Sequence, residues 1–214
     1  MTNVVHPTQE TIQNRKGAEN MKNDAIIDAI LCLLKEYKAE AAKVETVTRK
    51  ANLDSLKYLI VHSIRKYDVP ARHRHVSKKA YARWVQLSDE DIMTKHYQDR
   101  VFCDKLAGIV RQYDLYKGAK KKGARQDVSE EGFRFREMFH EDHVIPVSLI
   151  FNALIAMKTV NRKSVKELLN KMHICILLKE EDHELGRTKN RSLNYQETIR
   201  KVYIPNKVVA LDVR

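Results

Sequence analysis

The sequence predicts an α+β fold that is mainly helical: a helical N-terminal part, then a strand–strand–helix core carrying a helical insertion. Three observations predict it. From Asn23 onward, apolar residues recur at three- and four-residue steps, the stripe of a helix with one buried face. Near the middle, the run Lys117-Gly118-Ala119-Lys120-Lys121-Lys122-Gly123-Ala124-Arg125 breaks the composition sharply. Beyond it, two strand-like runs, 133–139 and 174–178, flank a strongly apolar stretch of helical character. The expected divisions are a flexible arm at 1–22, a helical recognition region at 23–116, a basic linker at 117–126 and the core at 127–214.

The elements follow in order. Residues 1–22 are rich in Asn, Thr and Gln without periodicity, which suits a frayed arm. Ile26, Ile27, Ile30, Leu33, Leu34 and Tyr37 then mark one helical face, which the pattern extends through Ala41, Val44 and Val47. Asp54 reads as the N-cap of a second helix bearing Leu56, Leu59, Ile60 and Ile64, ended by Pro70. The basic run Arg72-His73-Arg74-His75 leads to a helix capped by Ser77, with Tyr81, Trp84 and Val85 inward and Lys78, Lys79 and Arg83 outward. Such interleaving suits phosphate contact with base stacking, and equally a solvated face over a core tryptophan. Ser88 to Asp91 resembles a capping box for a helix through Ile92, Tyr97 and Val101 toward Tyr113. Leu149–Met157 and Ser164–Asn170 read as helices, Ile174–Leu178 as a strand running into a helix start, and Val202–Val209 as a late strand or an extended segment near Pro205.

Charge speaks to partners. Forty Lys and Arg against 28 acids give a formal +12, which favours polyanions such as nucleic acid. The loop lysines Lys120, Lys121 and Lys122 with Arg125, and the later turn with Arg187 and Arg191, are the expected phosphate contacts. No apolar run reaches the length of a membrane span, and the first thirty residues are polar rather than signal-like. Cys32, Cys103 and Cys175 are scattered and odd in number, as expected of reduced thiols in a cytoplasmic protein.

The chemistry concentrates in Phe139-His140-Glu141-Asp142-His143-Val144-Ile145-Pro146 and His173-Ile174-Cys175-Ile176-Leu177-Leu178-Lys179-Glu180-Glu181-Asp182-His183. Asp142 offers a hard oxygen to a divalent cation, His183 a nitrogen from the facing element, and His143 a general base for water. Asp142-His143-Val144-Ile145-Pro146 resembles the first motif of the HNH, or ββα-metal, nucleases over about residues 132–195. The resemblance implies Asp142 and His183 as ligands of Mg²⁺ (or Mn²⁺), His143 as base and His173 as its orienting residue. Asn170 stands as the alternative to His173, and Asn190 as the alternative to His183. Paired Cys-x-x-Cys knuckles, frequent in the family, are absent. The implied activity is cleavage of double-stranded DNA by a restriction-type enzyme, a homodimer with a cognate DNA methyltransferase. A phage or homing-type nuclease and a non-catalytic nucleic-acid-binding protein are the rivals.

Overall fold

The computed structural model describes residues 9–114, 125–185 and 190–211. Helix α1 (Gln9–Ala41) already covers much of the expected arm, because Gln, Glu, Arg, Lys and Ala form helix at little cost. It stops at Ala41 instead of running on: Val44 and Val47 are 85% and 89% exposed. The turn there is closed by Arg49, whose Nη2 donates to Ala41 O at 2.7 Å and Nε to Glu40 O at 3.2 Å. Thr46 then caps α2 (Val47–Arg65), accepting from the Arg49 amide at 3.0 Å. Asp54, the expected cap, lies inside α2 and faces solvent.

The basic run that follows forms strand β1 (Arg74–Ser77), which its polar composition conceals. Ser77 caps α3 (Lys78–Trp84) as expected, accepting from Ala80 N at 3.0 Å. The helix expected from Ser88 toward Tyr113 is not formed. Asp91 caps only a 3₁₀ turn (Ile92–Thr94), followed by β2 (Arg100–Val101) and β3 (Arg111–Asp114). β4 (Arg125–Val128) pairs antiparallel with β3, and the basic run between them, up to residue 124, lies outside the described residues. The strand expected at 133–139 is split into β5 (Phe133–Arg134), a single turn α4 (Phe135–Met138) and β6 (Phe139–His143). Helices α5 (Val147–Ala156) and α6 (Arg162–Leu169), strand β7 (Ile174–Leu178) and helix α7 (Lys179–Leu185) match the sequence reading. In the tail, α8 (Tyr195–Thr198) continues into a π turn (Ile199–Tyr203) that takes up Val202, residues 204–207 form a turn, and β8 spans only Ala210–Leu211.

Two compact units result, and they do not follow the order of the chain. One holds residues 1–68 and 147–170, the other 69–146 and 171–214. In the first, α5 and α6 pack on α1 and α2, with Ile27, Ile30, Leu34, Ile60, Ile64, Ile150 and Leu154 fully buried. Helix α5 is apolar nearly all round, so it needs such neighbours, and the insertion therefore joins the N-terminal helices. Arg162 ties α6 to α1 through Asp24 and Asp28 at 3.0 and 2.8 Å.

The second unit is built on a four-stranded sheet in the order β6-β7-β1-β8. β7 is antiparallel to β6 and parallel to β1, and all five of its residues are buried. Alternation sends Phe139, Ile176, Leu178 and Val76 to a core around Trp84 and Phe135. Cys175 and Leu177 go to the other face, packing with Leu185, Val202 and Tyr203.

Candidate metal centre

His140 and Asp142 are two residues apart on β6 and share the face of Cys175 and Leu177, their partners on β7. β7 passes into α7 without a break. Glu181, 1% exposed, fixes the start of that helix: its carboxylate accepts from Leu178 N at 3.0 Å and from the Ser77 hydroxyl. Burial raises the Glu181 pKa, against the pull of those hydrogen bonds. The next residue, Asp182, thereby comes down beside β6, with His140 Nε2 3.6 Å from its Oδ1. One donor atom each from His140, Asp142 and Asp182 lie within 4.8 Å of one another.

Asp142 is the buried member, its side chain 12% exposed. Arg191 Nη1 donates to its Oδ2 at 2.7 Å and to the His143 carbonyl at 2.9 Å, and the Tyr203 hydroxyl also donates to Oδ2. Tyr203 arrives from the π turn, a helix form that commonly re-aims a side chain at a site. Burial raises the Tyr203 pKa, and the negative charge of Asp142 raises it further. Burial opposes the Arg191 charge, but Asp142 outweighs it and the Arg191 pKa is raised. Cys175, enclosed beneath them, is likewise held as a thiol by burial and by Asp142.

No match is found among family models, curated proteins or solved structures. The centre therefore stands on its own geometry. One imidazole nitrogen and two carboxylates form a donor set that could hold a divalent metal ion. Among the described residues His140 Nδ1 is buried without a hydrogen-bond partner, while Nε2 faces Asp182. The residues present fit a divalent ion, provided it shares Asp142 with Arg191 and Tyr203.

The expected site residues are distributed differently. Asp142 is in the cluster. His183 is exposed on the outer side of α7, and the helix register brings its neighbour Asp182 to the sheet instead. The alternative, Asn190, is exposed with a φ of 71°. His143, the last residue of β6, alternates to the opposite face from Asp142. His173 lies in a ring stack, 4.2 Å from His73 and 4.1 Å from Tyr195, with its Nδ1 3.0 Å from His75 Nε2. Asn170 accepts from the Tyr67 hydroxyl at 2.7 Å within the other unit. Lys120, Lys121, Lys122 and Arg187 lie outside the described residues, while Arg125 opens β4. Arg191, expected as a surface phosphate contact, has a side chain only 5% exposed because Asp142 and the His143 carbonyl hold it inside.

Sequence reasoning missed His140, Asp182 and Tyr203. The first two had a signal: His140-x-Asp142 is the two-residue step of one strand face, and Asp182 lies one helix position from His183. Tyr203 had none, since only the fold brings it to β6.

Proposed function

We propose that the chain is a metal-dependent endonuclease hydrolysing phosphodiester bonds of double-stranded DNA, with β6, β7 and α7 as an HNH-like ββα-metal core. The observation that carries this reading is the convergence of His140 and Asp142 on β6 with Asp182 on α7, donor atoms within 4.8 Å. A divalent ion, Mg²⁺ or Mn²⁺, held there supplies charge stabilisation at the phosphate and the departing oxygen. His143 acts as general base, taking a proton from the attacking water at a ring nitrogen while neutral. Its side chain leaves β6 on the face opposite Asp142, so this role requires the scissile phosphate to span the end of the strand. The net charge of +12, with Lys120, Lys121 and Lys122 of the basic run, draws in the duplex. A restriction-type role, as a homodimer beside a protective methyltransferase, is the form we favour over a phage or homing-type nuclease.

A second reading is favoured by one observation: Asp142 Oδ2 is already shared by Arg191 and Tyr203. On that reading the carboxylate is structural and the chain is a basic nucleic-acid-binding protein without catalysis. Incubating the protein with phage DNA, with and without Mg²⁺ or Mn²⁺, separates the two. Metal-dependent discrete fragments are expected. His143→Ala should slow cleavage about a hundredfold or more with DNA binding retained. Asp182→Asn and His140→Gln should abolish cleavage, whereas His183→Ala should spare it. Binding without cutting under every metal condition would leave the non-catalytic reading standing.

A further inference from the structure

Arg191 combines three properties that a simple structural ion pair does not require. Its guanidinium is enclosed, with the side chain 5% exposed, yet its Nε is buried without a hydrogen-bond partner among the described residues. Its Nη1 sits on the one carboxylate, Asp142, that is also the buried corner of the His140–Asp142–Asp182 cluster. It lies over the Tyr203 ring, 5.7 Å from the centroid, and Tyr203 donates to the same Oδ2. A guanidinium presents five N–H donors in a planar fork matched to carboxylate and phosphate oxygens. Here Nη1 is committed to Asp142 and the His143 carbonyl, and Nε to no group among the described residues.

We infer that Arg191 is the resident cation of the centre and a phosphate ligand that changes partner: it neutralises Asp142 in the metal-free protein, and a divalent ion bound by His140, Asp142 and Asp182 displaces it toward a phosphodiester oxygen. The physical reason is charge. A buried carboxylate needs a counter-cation, and Arg191 supplies one without metal. A divalent ion on the same carboxylate stands within a few ångströms of the guanidinium, and the two cations repel. The displaced fork then has Nη1 and the already unpartnered Nε to offer, and an anionic oxygen is the acceptor that suits both. Arg191 is thus a positioning residue for the phosphate, and it lowers the affinity of the centre for metal until substrate is present. The inference rests on the metal-dependent nuclease reading but makes its own prediction about metal affinity.

The test is Mn²⁺ binding to the full chain, by calorimetry and by the electron paramagnetic resonance of the ion, with no DNA present. Arg191→Met removes the charge and keeps much of the volume. It should bind Mn²⁺ about tenfold more tightly than the wild type, while Arg191→Lys, which keeps the charge, should stay close to wild type. With Ca²⁺ in place of Mn²⁺, affinity for a short DNA duplex should fall in Arg191→Met, and it should not fall when metal is withheld. Equal or weaker Mn²⁺ binding by Arg191→Met overturns the inference and leaves the metal centre itself intact. Failure of the wild type to bind Mn²⁺ overturns both. Should Arg191→Met not fold, the wild type decides: titration with Mg²⁺ must perturb the Arg191 Nε–H resonance and speed its exchange with solvent, and an unperturbed, protected signal overturns the displacement.

Discussion

Replacing Asp142 by Asn tests how much of the second unit rests on one buried carboxylate. The substitution keeps the shape and one carbonyl acceptor but removes the charge that compensates Arg191. Both partners are enclosed, at 12% and 5% side-chain exposure, and 2.7 Å apart, so solvent cannot take over the lost interaction. Breaking a buried pair by removing one member costs about 3–5 kcal/mol. The carbonyl left by Asn still accepts from Arg191 or Tyr203, which puts the expected loss at about 3 kcal/mol, the lower end of that range. The assay is urea denaturation read by tryptophan fluorescence. Trp84 is the only tryptophan, it is 1% exposed, and it lies in the core of the unit that contains the sheet. The signal therefore follows that unit alone, which matters because two units need not unfold together. Asp142→Asn/Arg191→Met should recover most of the loss, since the unpaired buried charge is then gone. A single mutant within about 0.5 kcal/mol of wild type would refute the reasoning, because that is the scale of an ordinary surface change.

Neutralising Lys120, Lys121, Lys122 and Arg125 together should weaken duplex binding, and each lost phosphate contact should flatten the slope of log affinity against log salt by about one. Titrations over a range of salt read this directly, and an unchanged slope would make the run a solubilising loop. The His73 pKa is lowered, first by burial and then by Arg72, so the folded state favours neutral His73 below its ordinary value of 6.5. Below that pH the unfolded chain takes up a proton that the folded chain resists, so stability should fall as pH drops through the window beneath 6.5. His73→Gln should flatten that part of the stability–pH curve, and an unaltered curve would remove His73 from the account.

The parts of the fold legible in the sequence were those whose periodicity was long or strictly apolar. Ile174–Leu178 was readable because five consecutive apolar residues ahead of a polar helix start suit a strand buried on both faces. Helix α3 was readable because Ser77 is a strong cap placed directly before a run of good helix formers. The misreadings share a cause: local signals too short to stand against tertiary context. Arg74–Ser77 carries three charged or polar side chains in four residues, yet it lies between β7 and β8, and Arg74 is reconciled with that place by Glu141 at 2.7 Å. Val202–Val209 has strand-like composition, but Tyr203 and Val202 are needed over Cys175 and Leu177, and a helical π turn delivers both.

The candidate site shows the same division between what one element determines and what only two elements determine together. That Asp142 belongs to a polar constellation could be read from its place beside His143 before Pro146. Which partners it gathers depends on the rotation of α7 about its own axis, and a single residue step separates Asp182 from His183. That rotation is set by Glu181, which turns inward to take the Leu178 amide and the Ser77 hydroxyl. Once Glu181 is inside, the residue after it is carried beside β6 and the one after that is carried outward, since successive helix positions advance by about 100°. Glu181, one of four acids in the run 180–184, is thus the one that decides which donor reaches the centre. Releasing it with Glu181→Ala would free the helix to rotate, and the ligand set would be expected to loosen with it.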